Sequence, residues 1–346
     1  MSEHTQSVDT SSVSANEIYQ KMEHKKHIFE KPDTYVGSCE GENQNTYIHQ
    51  TDNDSNFIKI KNVNYAPGWY KCFDELLVNA HDHKKRIDKQ IKDNKNKKCI
   101  HEPVTVIKVS ILEDNSIEIY NDGDGIHIEY LDKYDMYPVE LIFYTLLSST
   151  NFDDNDNREW GGRNGYGAKL ANIFGKRFSV ETVDHINKKK LVQVFSNNMQ
   201  EKTDPIITTI KREKISPYTK ITWLPDYERF GMDGLNDDII SIIRKRTYDI
   251  AGVTDKSVKV YFNNKLLDIK DFEKYVDMYI GSKEENKRAF DTVNGWDVIA
   301  TSSSDEIFEH VSFVNGIYTS RGGTHVEYVA DQIKTKLADF LKKKRN

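Results

Sequence analysis

The sequence is short of cysteine, has no long apolar run and carries no excess of positive charge. Cys39, Cys72 and Cys99 are odd in number and spaced unlike any zinc site, which argues against a disulfide framework and predicts free thiols in a reducing compartment. No stretch approaches the roughly 20 apolar residues that cross a bilayer, so no membrane partner is expected. Met1 to Asn16 is rich in Ser, Thr, Glu and Gln without an apolar segment, and reads as a loose tail and not a signal peptide. A formal charge of −6 argues against a body that grips DNA over its whole surface; any nucleic-acid contact should be local. What remains, 346 residues at 37% hydrophobic and 30% charged, suffices for one large domain or two ordinary ones.

The strongest periodic stretch is Pro67 to Arg86. Trp69, Cys72, Phe73, Leu76, Leu77 and Ala80 recur at the spacing of a helix with one buried stripe, and Pro67 suits its first turn. Glu75 and Asn79, four apart, share a polar strip with Asp82 beside that stripe. A carboxylate there can take a proton from water, and an amide oxygen is a hard neutral ligand for magnesium; a solvated polar edge would look the same. Ala15 to Ser38 reads as a short helical arm, Gly41 to Phe57 as a polar surface loop and Lys89 to Lys98 as a solvated connection.

Val104 to Leu112 and Ser116 to Tyr120 are predicted to pair as strands across a turn. The second runs into Asn121, Asp122, Gly123, Asp124 and Gly125, where the glycines either let backbone approach a ligand or make a plain turn. A buried helix is expected from Pro138 to Leu147, ending at Ser148, Ser149, Thr150 and Asn151, small polar residues able to hold a sugar or phosphate or simply to end a helix. Four glycines fall between residues 161 and 167, ahead of Ala168, Lys169 and an apolar run. Backbone N–H groups of such a turn can converge on phosphate oxygens, with a helix N-terminus and Lys169 adding positive potential; the rival reading is an ordinary turn.

Strands are then expected at FSVETV, KLVQVF and KITWL, with Thr222 in the last, followed by a helix over Asp238 to Ile250. Beyond it come strands at Val258–Phe262, Trp296–Ala300 and Val311–Val314. A capping box, Thr324 with Glu327, opens a long helix whose apolar face is Val326, Val329, Ala330, Ile333, Leu337, Phe340 and Leu341.

Taken in order, these signals resemble the GHKL ATPase family, which holds ATP under a glycine-rich lid. Within it, KPDTYVGS, YKCFDELLVNAHDH, GGRNGYGAKLANIF, RTYDIAG, YVDMYI and SFVNGIYTSRGGTHVEYVADQI resemble the N-terminal region of eukaryotic-type (type IIA) DNA topoisomerase II, over about Ile18 to Lys344. The resemblance implies an α/β Bergerat fold, a sandwich of helices on a mixed sheet, followed by part of a ribosomal S5-like transducer domain. The implied division is a tail over 1–17, an ATPase domain with a dimerisation arm over 18–247 and partial transducer over 248–346. It implies ATP and Mg2+, with Glu75 polarising the attacking water and Asn79 on the metal. Asp122 takes the adenine position, where the usual eukaryotic enzyme has Asn, and either side chain offers an oxygen acceptor. Ser149, Thr150 and Asn151 match residues near ribose and phosphate. Gly162, Arg163, Asn164, Gly165, Tyr166, Gly167, Ala168 and Lys169 match the phosphate lid, and Thr222 matches a threonine that steadies adenine. His83 stands where relatives often have Asn.

Tyr19 matches an arm residue that reaches the neighbouring protomer's nucleotide, implying a homodimer closed by ATP around double-stranded DNA. Lys342, Lys343 and Lys344 match a basic loop that meets DNA, or form a solvated charged end. The second transducer half and the DNA-cleaving region are missing, so a fragment of a larger enzyme, itself unable to cut DNA, is expected. Two rivals stay open: a dimerisation module that binds nucleotide without hydrolysis, and another GHKL machine such as a MutL-like protein or chaperone. Abundant Lys, Asn, Asp and Ile suit an AT-rich genome, a protist or a large DNA virus, with a nuclear or viral-factory location.

Overall fold

The long helix after Pro67 and the alternating strands after residue 104 meet face to face and enclose most of the apolar side chains. The computed structural model describes residues 22–52, 55–94, 100–146, 165–303 and 307–345. After a short helix, α1 (His24–Glu30), comes a hairpin of β1 (Glu42–Asp52) and β2 (Ser55–Tyr65). Helix α2 (Pro67–Asp93) follows, then β3 (Val106–Ile111), β4 (Ile117–Asp122) and α3 (Pro138–Phe143). Helix α4 (Gly167–Ile173) leads into β5 (Gly175–Asp184), β6 (Lys189–Ser196), β7 (Glu201–Lys202), β8 (Ile206–Thr209) and β9 (Tyr218–Pro225). Helix α5 (Asp237–Val253), β10 (Lys259–Phe262) and β11 (Lys265–Leu266) complete the first body.

Its sheet runs β11-β10-β3-β4-β9-β5-β6-β7, with β8 also on β6. Only β10 with β3 is parallel, so the sheet is mixed, as expected for the α/β sandwich. The helices cover one face. On it lie Ile117, Ile119, Val180, Ile221 and Trp223, packed with Trp69, Phe73, Leu76 and Leu77 of α2. Each such side chain contributes roughly 1.5–3 kcal/mol by leaving water. The other face is polar: Lys220 pairs with Glu118 and Glu181 at 3.6 Å, and Lys190 with Glu181 at 3.1 Å. One covered and one wet face is the usual arrangement for antiparallel strands.

Several expectations need correction. Gly41 to Phe57 is not a loop but β1 and the start of β2, in register from Glu42 opposite Tyr65 to Asp52 opposite Ser55. Its Asn-rich composition hides a strand because the exposed residues pair with each other, Asn62 to Asn45 at 3.0 Å and Asn64 to Asn43 at 3.2 Å. Further along the same side, burial comes from tertiary partners: the His49 ring stacks on Tyr248, centroids 4.8 Å apart. Helix α2 runs on to Asp93, into the expected Lys89–Lys98 connection. Helix α3 ends at Phe143, and residues from 147 lie outside the described ones. A boundary between residues 247 and 248 falls inside α5, and β10–β11 extends the first sheet, so the first body continues to at least Leu266.

The later part comprises α6 (Phe272–Ile280), two hairpins, β12 (Arg288–Val293) with β13 (Trp296–Thr301) and β14 (Phe313–Val314) with β15 (Ile317–Tyr318), and α7 (Thr324–Arg345). The first turn of α7 closes on the Gly323 carbonyl, which accepts from Val326 and Glu327 N–H, so the cap sits one residue before the expected Thr324. The apolar face of α7 is not buried: Leu337, Phe340 and Leu341 are more than half exposed, at 56, 54 and 60%.

Candidate active site

Burial of Trp69, Phe73, Leu76, Leu77 and Ala80 fixes the rotation of α2 and thereby turns Glu75 and Asn79, one turn apart, along the edge of the helix layer. Glu75 is half-buried and forms an ion pair with Lys71 on the preceding turn. Its carboxylate lies directly on Gly167, the first residue of α4: a methyl group there would overlap the carboxylate oxygen. Gly165, with φ of +63°, makes the left-handed turn that brings the chain in, a conformation glycine adopts at no steric cost. Ala168 and Lys169 follow on the first turn of α4, both buried, and Tyr166 precedes it with its ring 6.1 Å from that of His24. The Lys169 ammonium is drawn inward and donates to the Gly165 carbonyl at 2.7 Å. Burial lowers its pKa to about 8, so a cation is held at the glycine turn at a desolvation cost that an arriving anion would offset. Asn172 Nδ2 donates to the Phe143 carbonyl at 2.9 Å and anchors α4 to the end of α3.

The structure therefore brings Glu75 against Gly167 and Lys169 against Gly165 within one turn of chain, with Asn79 one turn along the helix of Glu75. It does not bring Asp122 to them. Its carboxylate accepts from Thr105 N–H at 2.7 Å, Thr105 Oγ1 at 2.5 Å and Val106 N–H at 2.7 Å, an inter-strand tie at the start of β3. Strand periodicity gives the reason: in β4 the burial alternates so that Ile117, Ile119 and Asn121 face the helices while Glu118, Tyr120 and Asp122 face outward. Thr222 is opposite Glu118 in register and lies on the same outer face. The helix-facing residues are Asn121 and, opposite it, Thr219, which in turn is opposite Thr182 on β5. Thr182 Oγ1 and Thr219 Oγ1 are 3.3 Å apart, and Thr182 also accepts from Ile126 N–H at 2.9 Å. Asn121 and Thr219 are the residues the sequence reading passed over; their register with Ile119 and Ile221, two positions away, was the available signal.

The glycines of the Asp122–Gly125 turn serve packing. A methyl on Gly123 would lie 2.5 Å from Val104 Cγ2, and one on Gly125 would strike the Val183 carbonyl. His83, on α2 beside this turn, has its pKa lowered to about 4 by burial and by Arg86, and is neutral. Lys342, Lys343 and Lys344 are exposed near the end of α7. Tyr19, Ser149, Thr150, Asn151, Gly162, Arg163 and Asn164 lie outside the described residues. Among the described residues no three His, Cys, Asp or Glu side chains converge as a metal cluster, and no helix is long and apolar enough to cross a membrane.

Comparison with known proteins gives the family. A family model described as DNA gyrase B matches residues 261–346. DNA topoisomerase 2 of Candida glabrata is 43% identical over 96% of this chain, and that of Acanthamoeba polyphaga mimivirus 40% over 96%. The chain spans about a quarter of those relatives' length, 23 and 25%. The solved ATPase region of Saccharomyces cerevisiae topoisomerase II is similar at a TM-score of 0.84 and 42% identity, covering 95% of this chain and 82% of that one. The ATPase and transducer domains of DNA topoisomerase II from Balamuthia mandrillaris are similar at a TM-score of 0.84 and 36% identity, covering 96 and 80%.

Proposed function

The chain belongs to the ATPase region of the type II DNA topoisomerases, and from that premise we propose that it binds Mg·ATP between α2 and the Gly165–Lys169 turn and cleaves the terminal phosphate. The observation that carries this reading is the contact of the Glu75 carboxylate with Gly167, two residues before the buried Lys169. A phosphate seated on the turn would lie next to a carboxylate able to orient and deprotonate an in-line water, with Lys169 neutralising charge on the phosphate oxygens. Lys71 pairs with Glu75 and orients its oxygens. Asn79 offers a hard, neutral oxygen of the kind magnesium takes when phosphates supply most of the remaining ligands. The metal would supply neutralisation of phosphate charge. Asn121 carries one acceptor and two donors at the buried end of β4 and suits an adenine edge, with Thr219 beside it.

In the whole protein the proposed role is that of the N-terminal gate: ATP joins two copies through the arm that includes Tyr19, and turnover is coupled to passage of one DNA duplex through another. Ser149, Thr150, Asn151, Gly162, Arg163 and Asn164 are assigned to ribose and phosphate, and Lys342, Lys343 and Lys344 to DNA. An ATPase body ending after β11 and a transducer region from about α6 replace the 247/248 division. The location proposed is the nucleus or a viral factory.

Glu75→Gln keeps shape and removes the base. It is expected to retain adenine nucleotide binding by calorimetry while phosphate release falls by about 100-fold or more. Release at the parental rate would remove Glu75 from its role; binding without release by the parental chain would mark a nucleotide-operated dimerisation module instead.

A further inference from the structure

One residue before Glu75, the opposite side of α2 enters a buried charge cluster. Asp74 is 7% exposed and accepts from Arg246 Nε of α5 at 2.6 Å; Arg246 is fully buried. Burial works against the Arg246 charge, and its neighbours together, Asp74 foremost with Tyr70 and Asp249, more than offset it. The same guanidinium donates from Nη2 to the carbonyl of Gly316 at 2.7 Å. Gly316 belongs to the tip of the β14–β15 hairpin, where Asn315 and Gly316 both have positive φ, 50 and 78°, as a two-residue hairpin turn requires. The tip is wedged against α2 as well: a methyl on Gly316 would lie 2.5 Å from Nδ1 of His81, itself 1% exposed. Lys245, the neighbour of Arg246, lies 3.9 Å over the Tyr318 ring of β15 and donates to Asp249 at 2.8 Å.

We infer that Arg246 is a positioning residue for Glu75: its planar fork ties Asp74, at the turn of α2 that carries Glu75, to the backbone of the 313–318 hairpin. A rigid fork can hold a carboxylate and a carbonyl at fixed directions, which an ammonium cannot. Because the carbonyl belongs to the later region, a shift of the hairpin leaves a buried cation short of a partner, and the strain is relieved by movement of Asp74 and hence of Glu75. Packed interfaces with such few-partner charges have discrete arrangements, not a continuum. The inference rests on the proposed role of Glu75 and adds to it a route by which the later region sets the geometry of the base.

The test uses this chain with Arg246→Lys, Gly316→Ala and Gly316→Ala combined with His81→Ala. Measured are phosphate release at saturating ATP, KM, affinity for a non-hydrolysable ATP analogue and amide hydrogen exchange over residues 68–82. Arg246→Lys and Gly316→Ala are expected to lower kcat about tenfold with KM and analogue affinity within twofold, and to speed exchange in α2 but not in β5–β6. Removing the His81 ring makes room for the new methyl, so the double variant should recover to within about threefold of the parent. Folded single variants with parental kcat and parental exchange would overturn the inference, as would loss of affinity in step with kcat, which marks general loosening. If the parent takes up no ATP, the functional reading fails. The exchange pattern then decides the clamp alone, faster α2 exchange supporting it and unchanged exchange ending it.

Discussion

The two faces of the central sheet carry nearly the same chemistry and are fitted for opposite work. On the helix-covered face Asn121, Thr219 and Thr182 stand in one row across three strands, beside the apolar residues that pack on α2. On the other, Asp122, Thr222 and Glu118 hold an acid, a hydroxyl and another acid among partnered lysines. Residue type does not separate the rows, since each has hydroxyls and oxygen acceptors. What separates them is which side of a period-two strand they occupy, and therefore whether α2 and the glycine turn lie above them.

The largest effect expected from disturbing this arrangement is at the closest approach above the covered face. Gly167→Ala should improve helix propensity at the start of α4, because no positive φ is required there, yet its methyl would displace the Glu75 carboxylate. Phosphate release is expected to fall about 100-fold while thermal unfolding stays within a few degrees of the parent. An active Gly167→Ala would mean that Glu75 does not need its present position. Next in size is the paired test of the two faces. Asn121→Ala should weaken adenine nucleotide binding about tenfold, the worth of roughly 1–2 kcal/mol of hydrogen bonding in a water-poor site. Asp122→Ala should instead leave affinity within twofold and lower stability by about 2 kcal/mol in denaturant titration, since three donors of Thr105 and Val106 lose their acceptor. The reverse outcome would return the adenine role to Asp122.

The covered face also makes a pH prediction. Lys169 has its pKa lowered to about 8, against 10.5 for an ordinary lysine, because burial disfavours the ammonium. The unfolded chain therefore binds more protons than the folded one between about pH 8 and 10.5, and stability of the free protein should rise with pH across that window. Nucleotide binding has the opposite sign. A triphosphate favours the charged form, so binding above pH 8 must take up a proton, and affinity should fall by up to about tenfold per pH unit there while staying flat near pH 6.5. Calorimetry in buffers of different ionisation enthalpy reads that proton directly; no uptake at pH 9 would detach Lys169 from the phosphates.

How much of this was legible beforehand follows from which interactions are local. The α2 stripe, the strands after residue 104, and the conjunction of Glu75 with a glycine turn are written in short-range periodicity, and both helix and sheet appear where that periodicity places them. Strand β1 is not legible, because one end of a single face is buried by Tyr248 and Tyr279, some 200 residues on, while the other end of that face is exposed and satisfied by an Asn ladder with β2. Asp122 differs for another reason: a motif string does not say which way alternate side chains of a strand point. The clamp of Arg246 on Gly316 is likewise invisible in sequence, being a bond from a side chain to a backbone carbonyl 70 residues away.

The smallest predicted effect discriminates most finely between the faces, because it changes the same atoms on both. Thr219→Val and Thr222→Val each replace a hydroxyl by a methyl of similar volume. At position 219 the loss removes the partner 3.3 Å from Thr182 Oγ1 and a polar group beside Asn121, so affinity for ATP should drop about three- to fivefold. At position 222 the new methyl faces partly exposed, charged neighbours, and valine favours strands; affinity should be unchanged and stability within about 0.5 kcal/mol. If both variants bind ATP equally well, Thr219 takes no part in nucleotide recognition, and the row of hydroxyls on the covered face reduces to a tie between β5 and β9. If Thr222→Val is the weaker binder, the nucleotide reaches the outer face, and the assignment of the covered face as the adenine wall fails with it.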